Sequence, residues 1–176
     1  MDLAGLRARA AAGEIELAFL DEAGFAQAHP NRSAWTPVGE QHRIEARRGP
    51  RLNVLAALLS TGRTFFVPLW HSVTAALFAA FLGLLKREVD KPLVVVLDNA
   101  SIHRAAAIAP HLKVLAAQGV TLHFLPTYSP ELNRIETLWR LVKHRWMQPR
   151  QRDPVELEAE VTRILQAVGT QYQMAF

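Results

Sequence analysis

The most constraining stretch of this chain is PLVVVLDNASIHR, residues 92–104. Leu93 to Leu97 are apolar without alternation, the pattern of a strand buried on both faces of a sheet. The run stops at Asp98, and Asn99, Ser101 and His103 follow closely. Open α/β sheets place their ligands at the carboxyl ends of such strands. Asp98 is therefore the first candidate for chemistry, and the rest of the chain must supply the strand's neighbours and its covering layers.

With 176 residues, half of them hydrophobic, the chain can build one domain with a proper core, and disorder over most of its length is excluded. The absence of cysteine excludes disulfides and thiolate metal sites. The apolar runs are too short and interrupted to span a membrane, and Arg7 and Arg9 followed by Glu14 and Glu16 do not make a signal peptide. A soluble, cytoplasmic protein is expected. The net charge of +4 is modest, but its placement is not even. His42, Arg43, Arg47, Arg48 and Arg51 form one basic cluster; Lys143, His144, Arg145, Arg150 and Arg152 form another. Such clusters suit a phosphate backbone and equally a solvated loop or helix face.

Taken in order, residues 1–13 read as a helix ending at Gly13, with residues 1–14 a leading segment and 15–176 the domain proper. Ile15 to Leu20 reads as a strand ending at Asp21 and Glu22, and Ser33 to Val38 as a short strand containing Trp35. Residues 52–59 and 64–69 are two strands of a hairpin joined by Ser60–Thr61–Gly62–Arg63. Ser72 can cap a helix running to Lys86, with Leu77, Phe78, Phe81, Leu82 and Leu85 on one face. Residues 104–118 are helical in composition, with a kink or restart at Pro110 and a stop at Gly119. Residues 121–125 form a last strand. Ser129–Pro130 opens a helix whose Leu132, Ile135, Trp139, Val142 and Trp146 pack on the sheet, and Asp153 to Glu156 has capping-box spacing for a final helix. The early strands meander and the later ones alternate with helices. The fold class is α/β: a mixed sheet, an antiparallel meander plus parallel strands, flanked by helices.

Three acids stand out. Asp21 and Asp98 each follow an apolar strand, and Glu136 sits on the margin of the packing stripe of the helix after Ser129, with Arg140 and Lys143 on its face. Gathered carboxylates repel one another unless a cation neutralises them, and an all-oxygen set suits Mg²⁺ or Mn²⁺. Two such ions, about 3.5–4 Å apart, clamp the attacking and leaving oxygens of a phosphoryl transfer. Each acid also has a plainer reading: a turn former at a strand end, or a surface residue in an early helical turn. His103 and Asn99 can assist the site or only shape the turn, Glu22 points away from Asp21 if the strand continues, Glu131 reads as first-turn helix charge, and Trp35 can stack on a base or pack in a loop or core.

At these residues the chain resembles the catalytic domain of the DDE transposases, in the mariner-like superfamily and its bacterial insertion-sequence branch. FLDEAGF, LDNASIHR and LPTYSPELNRIETLWRLVKH carry the resemblance, with WTPVGE and RLNVLAALLSTG in support. It covers residues 15–148. It implies a ribonuclease H-like fold with a mixed five-stranded sheet, and an acidic triad of Asp21, Asp98 and Glu136 binding two Mg²⁺ ions, with Mn²⁺ able to substitute. Asn99 and His103 match a D-N-x-x-x-H pattern and take a supporting role. Arg134 stands where many relatives have proline.

The implied activity is Mg²⁺-dependent cutting of transposon ends and joining of the freed 3′-hydroxyl to target DNA. Arg43, Arg47, Arg48, Arg140 and Lys143 are expected to contact that DNA, and a homo-oligomer to assemble on it near the bacterial nucleoid. The family's helix-turn-helix modules do not fit within residues 1–14, so this chain is expected to lack the region that reads transposon ends. Two alternatives stand beside this: an inactive remnant that only binds DNA or partners, and another ribonuclease H-like nuclease.

Overall fold

The apolar run at 93–97 is the inner strand its composition implies. The computed structural model describes residues 2–28, 35–40, 49–99, 106–127 and 129–174. In it, β4 (Leu93–Leu97) is buried along its whole length. It pairs in parallel with β1 (Glu16–Phe25) through Leu17↔Val94 and Phe19↔Val96, and with β5 (Val120–Phe124) through Val95↔Leu122. On its other side β1 pairs antiparallel with β2 (Leu52–Leu59), which turns back into β3 (Thr64–Leu69). The sheet order is β3-β2-β1-β4-β5. Gly62, at φ +84°, makes the hairpin turn possible.

Strand β1 is longer than its apolar run. It does not stop at Leu20 but continues to Phe25, because β2 keeps offering partners from Asp21↔Ala56 to Phe25↔Leu52. Its parallel partner β4 gives out at Phe19↔Val96. Asp21 therefore marks the place where β4 leaves β1, rather than the end of β1.

Alternation assigns the faces. Leu17, Phe19, Ala23 and Phe25 of β1 and Val94 and Val96 of β4 pack beneath α4 (Arg134–Leu141) and α5 (Pro154–Gln166). Ala18, Leu20, Leu93, Val95 and Leu97 pack on the opposite side against α2 (Ala75–Arg87) and α3 (Ala109–Ala117). Both faces are covered, which is why the strands read as continuous hydrophobic runs. Helix α1 (Leu3–Ala11) begins at the Asp2 cap and lies beside β1.

Several helix starts differ from the sequence reading. The cap of α2 is Thr74, whose hydroxyl accepts from the Leu77 N–H, and not Ser72. Of the kink or restart expected at Pro110, the restart is what forms. A single 3₁₀ turn at Ala106–Ile108 leads into α3, with the proline in the first turn, where its missing N–H costs nothing. Ser129–Pro130 opens only a 3₁₀ turn, Pro130–Leu132; the chain extends at Asn133 and α4 begins afterwards. The helix then widens into a π-helical turn, Val142–Trp146. At Asp153 the reciprocal capping box with Glu156 forms as its spacing implies.

The short strand expected at Ser33–Val38 is not formed over its described part. Residues 35–40 make a turn, with Glu40 N–H donating to Pro37 O at 3.0 Å. Trp35 is fully exposed there, so it packs in neither core nor loop. Among the described residues no helix is long and apolar enough to cross a membrane.

Candidate active site

Asp21 has the parity of Phe19 and Ala23, so it faces the side of the sheet that α4 covers. Glu22 takes the opposite parity and is exposed. Asp98 follows Leu97 and has the parity of Val96, which puts it on the same side as Asp21. Glu136 arrives from above, in the first turn of α4. Asp21, Asp98, Asn99, Asn133 and Glu136 line one cavity of about 340 Å³ at the carboxyl end of β4.

The electrostatics agree with this gathering. The Asp21 carboxyl is raised from its ordinary 3.8 to about 7. Burial is the largest cause, and the charges of Glu136 and Asp98 push the same way. The Glu22 backbone N–H and the Trp139 indole N–H oppose it, the latter donating to Asp21 Oδ2 at 3.1 Å. Near neutral pH Asp21 therefore holds a proton readily, and a bound cation would favour its ionised form.

Two asparagines set the frame. Asn133, buried between α4 and the sheet, donates through Nδ2 to Leu20 O at 3.1 Å. That bond fixes the extended residue before α4 and hence the point where the helix starts. The Glu136 N–H then bonds back to Asn133 O at 3.0 Å. This places Glu136 in the first turn of α4 rather than further along a helix opened at Ser129. Asn99 donates to Leu125 O at 2.6 Å and so ties the ends of β4 and β5 at the cavity's rim.

The cations divide. Lys143 Nζ lies 5.3 Å from the centre of the Phe25 ring. Burial and then the charge of Arg51 hold this ammonium below its usual range, against the pull of Glu136 and Asp21. Lys143 is therefore beside the acids, as its helical spacing from Glu136 implies. Arg140 shares an adjoining groove with Glu131, Glu136 and Thr137. Two of the five residues of the second basic cluster, Arg150 and Arg152, are paired with acids of α5. Arg152, 2% exposed, is ion-paired with Glu160 and donates to Arg150 O at 2.7 Å, while Arg150 pairs with Glu156 at 3.1 Å. Burial would raise Glu160, but hydrogen bonds from Arg152 and Gln148 and the two arginine charges outweigh it and lower its pKa. His42, Arg43, Arg47, Arg48 and His103 lie outside the described residues.

Two residues that act on the site were not recognised as such in the sequence. Trp139 reads as core by spacing, and it is buried, yet its N–H serves Asp21. The available signal was an indole on the helical stripe that faces an acid-bearing strand. Asn133 carries no comparable signal, because its role is set by a carbonyl far away in the chain.

The donor set suits a hard divalent cation: three carboxylates, one of them buried and facing the charges of the other two. Among the described residues, no three acidic, histidine or cysteine side chains stand close enough to hold an ion as they are. The acids share the cavity without closing on a single point.

Comparison with known proteins gives consistent relatives. A family model described as DDE superfamily endonuclease matches residues 16–157. The uncharacterized protein y4pE/y4sA of Sinorhizobium fredii is 40% identical over 71 residues, which is 39% of this chain and 48% of that protein. The Mos1 mariner paired end complex with Mn superposes with a TM-score of 0.70 at 20% identity, covering 96% of this chain and 54% of that one. The Mos1 strand transfer complex gives 0.68 at 16% identity, with 96% and 54% covered. At these identities the two structures speak for the fold, which is that of ribonuclease H-like transposase cores. The chain spans about half the length of the relatives it matches.

Proposed function

The chain belongs to the DDE superfamily endonucleases, and from that premise we propose that it is the catalytic domain of a transposase, cutting DNA at transposon ends and joining the freed 3′-hydroxyl to target DNA. One observation carries the reading. Asp21, Asp98 and Glu136, distant in sequence, line one cavity, and burial together with the charges of the other two raises the Asp21 carboxyl.

Asp21, Asp98 and Glu136 would hold two Mg²⁺ ions, or Mn²⁺. Bound there, the ions would supply positive charge to activate the attacking oxygen and to stabilise the leaving one. The protein's own groups do the positioning. Trp139 orients the Asp21 carboxylate and favours its charged form. Asn133 sets the start of α4 and thereby the reach of Glu136. Lys143 and Arg140 flank the acids and suit a DNA backbone, whose phosphates they would neutralise. Asn99, through its bond to Leu125 O, keeps the rim shaped. Acting on paired ends would bring two copies together.

The test is cleavage of DNA carrying candidate transposon ends with Mg²⁺. Wild type should cut, and Asp98→Asn should lose activity by about a thousandfold or more. Wild-type turnover by Asp98→Asn would overturn the assignment. A second reading, a DNA-binding remnant without catalysis, is favoured by the acids not standing at ion-holding distance. Under that reading wild type binds DNA, but Mg²⁺ produces no cut.

A further inference from the structure

A second concavity adjoins the acidic one and has the opposite charge. It measures about 290 Å³ and is lined by Arg7 of α1, Arg134 of α4, Leu17 and Phe19 of β1, and Ser60. The floor is apolar and the two walls are guanidinium groups. We propose that Arg7 and Arg134 form a second phosphate site, holding a backbone phosphodiester of the DNA strand that leaves the acidic cavity. This rests on the nuclease reading above and extends it along the strand.

The geometry argues for it in three ways. First, two guanidinium groups drawn to one pocket repel each other, and an anion between them turns that repulsion into attraction. Arg9, on the same helix, is paired with Glu14 at 2.9 Å, whereas Arg7 forms no ion pair among the described residues. Second, Arg7 lies over Phe19, 5.8 Å from the ring centre, which restrains its planar fork beside the pocket. A planar fork of N–H donors matches phosphate oxygens better than an ammonium does. Ser60 adds little, since its hydroxyl already donates to Glu16 at 2.7 Å.

Third, the pocket is lined by residues next to those of the acidic cavity, on β1 and at the start of α4. Phe19 and Asp21 are on one face of β1, two residues and so about 7 Å apart along it. Arg134 follows Asn133, which lines the acidic cavity. A strand whose reacting phosphate lies at the acids can therefore reach Arg7 and Arg134 within a few nucleotides. Inorganic phosphate or a free nucleotide shares this chemistry, but neither accounts for the pocket's position beside the cavity.

The test uses the full chain and a fluorescent duplex with a single-stranded 3′ extension, with Ca²⁺ replacing Mg²⁺ to suppress cutting. Affinity is measured by anisotropy over a range of salt. Arg7→Gln and Arg134→Gln should each weaken binding by about fivefold to tenfold and reduce the salt slope by about one. The double variant should lose little beyond either single change, because both arginines serve one phosphate. Arg7→Lys and Arg134→Lys should keep the slope while losing part of the affinity, and they stand in should a Gln variant fail to fold. Unchanged affinity and slope in both Gln variants, with a wild type that binds and cuts, would overturn the pocket alone. Asp98→Asn cutting at the wild-type rate would overturn the nuclease reading while the slopes still report on the pocket. A wild type that does not bind DNA would overturn both. Inorganic phosphate that raises the melting temperature of wild type but not of the Gln variants, with DNA affinity equal in all, would make this a small-anion site and end the DNA assignment.

Discussion

The Trp139 indole N–H donates to the Asp21 carboxylate across the gap between α4 and the sheet, at 3.1 Å. The ring also meets Phe25 edge to face at 6.0 Å. Trp139→Phe keeps most of the packing and removes the donor. The proton affinity of Asp21 should then rise beyond about 7, moving the acidic limb of the cleavage pH profile upward. Stability at pH 8 should fall by about 1–3 kcal/mol, the cost of a lost bond to a charged group. An unmoved pH profile would count against this role for the indole.

Asp21 makes stability depend on pH in a defined direction. Its folded pKa is raised, so the folded state holds the proton more tightly than the unfolded one. The resulting stabilisation is fully present below about pH 4 and is lost as the pH rises through about 7. Asp21→Asn should therefore gain on wild type at pH 8, on the order of 2 kcal/mol given the partial exposure of the group, and the gain should shrink toward pH 4. Urea denaturation at the two pH values measures it. A difference that does not vary with pH would contradict the strained-carboxylate picture.

Asn133 offers Leu20 O a donor, and only a donor will serve there. Asn133→Ala should cost about 1–3 kcal/mol by leaving a buried carbonyl unpaired. Asn133→Asp should cost more, since it turns an acceptor toward an acceptor. Both should slow cleavage, because the start of α4 sets the position of Glu136. An Asp variant as stable as wild type would remove this explanation for where α4 begins.

Arg152 is a structural cation, not a DNA contact. It joins Glu160, Arg150 O and Gln148 O, while its own N–H meets Gln27 O at 3.0 Å. Arg152→Ala should destabilise the fold by about 3 kcal/mol, as expected for a broken buried pair. The DNA salt slope of the folded variant should match wild type. A slope lower by one would return Arg152 to the DNA surface.

The sequence was most informative where local rules and tertiary packing agree. The run at 93–97, the hairpin at 52–69 and the Asp153 cap each follow from a few neighbouring residues. It was least informative where a distant partner decides. β1 passes Asp21 because β2 extends beside it. The helix after Ser129 breaks at Asn133 because Leu20 O holds that side chain. Arg150 and Arg152 read as one basic patch with Lys143 until α5 folds back and engages them. The three acids stood out because each follows or borders an apolar pattern, and they line one cavity, but the tight hold on Asp21's proton emerges only when three separate segments meet.

The central claim is that Asp21, Asp98 and Glu136 act together on divalent ions in one place. Calorimetric titration of Mn²⁺ into the protein at pH 8 and at pH 6 tests it most directly. The account predicts binding that is tighter at pH 8, where Asp21 is ionised, and roughly tenfold or more weaker in each of Asp21→Asn, Asp98→Asn and Glu136→Gln. Identical titrations for wild type and all three variants would contradict it.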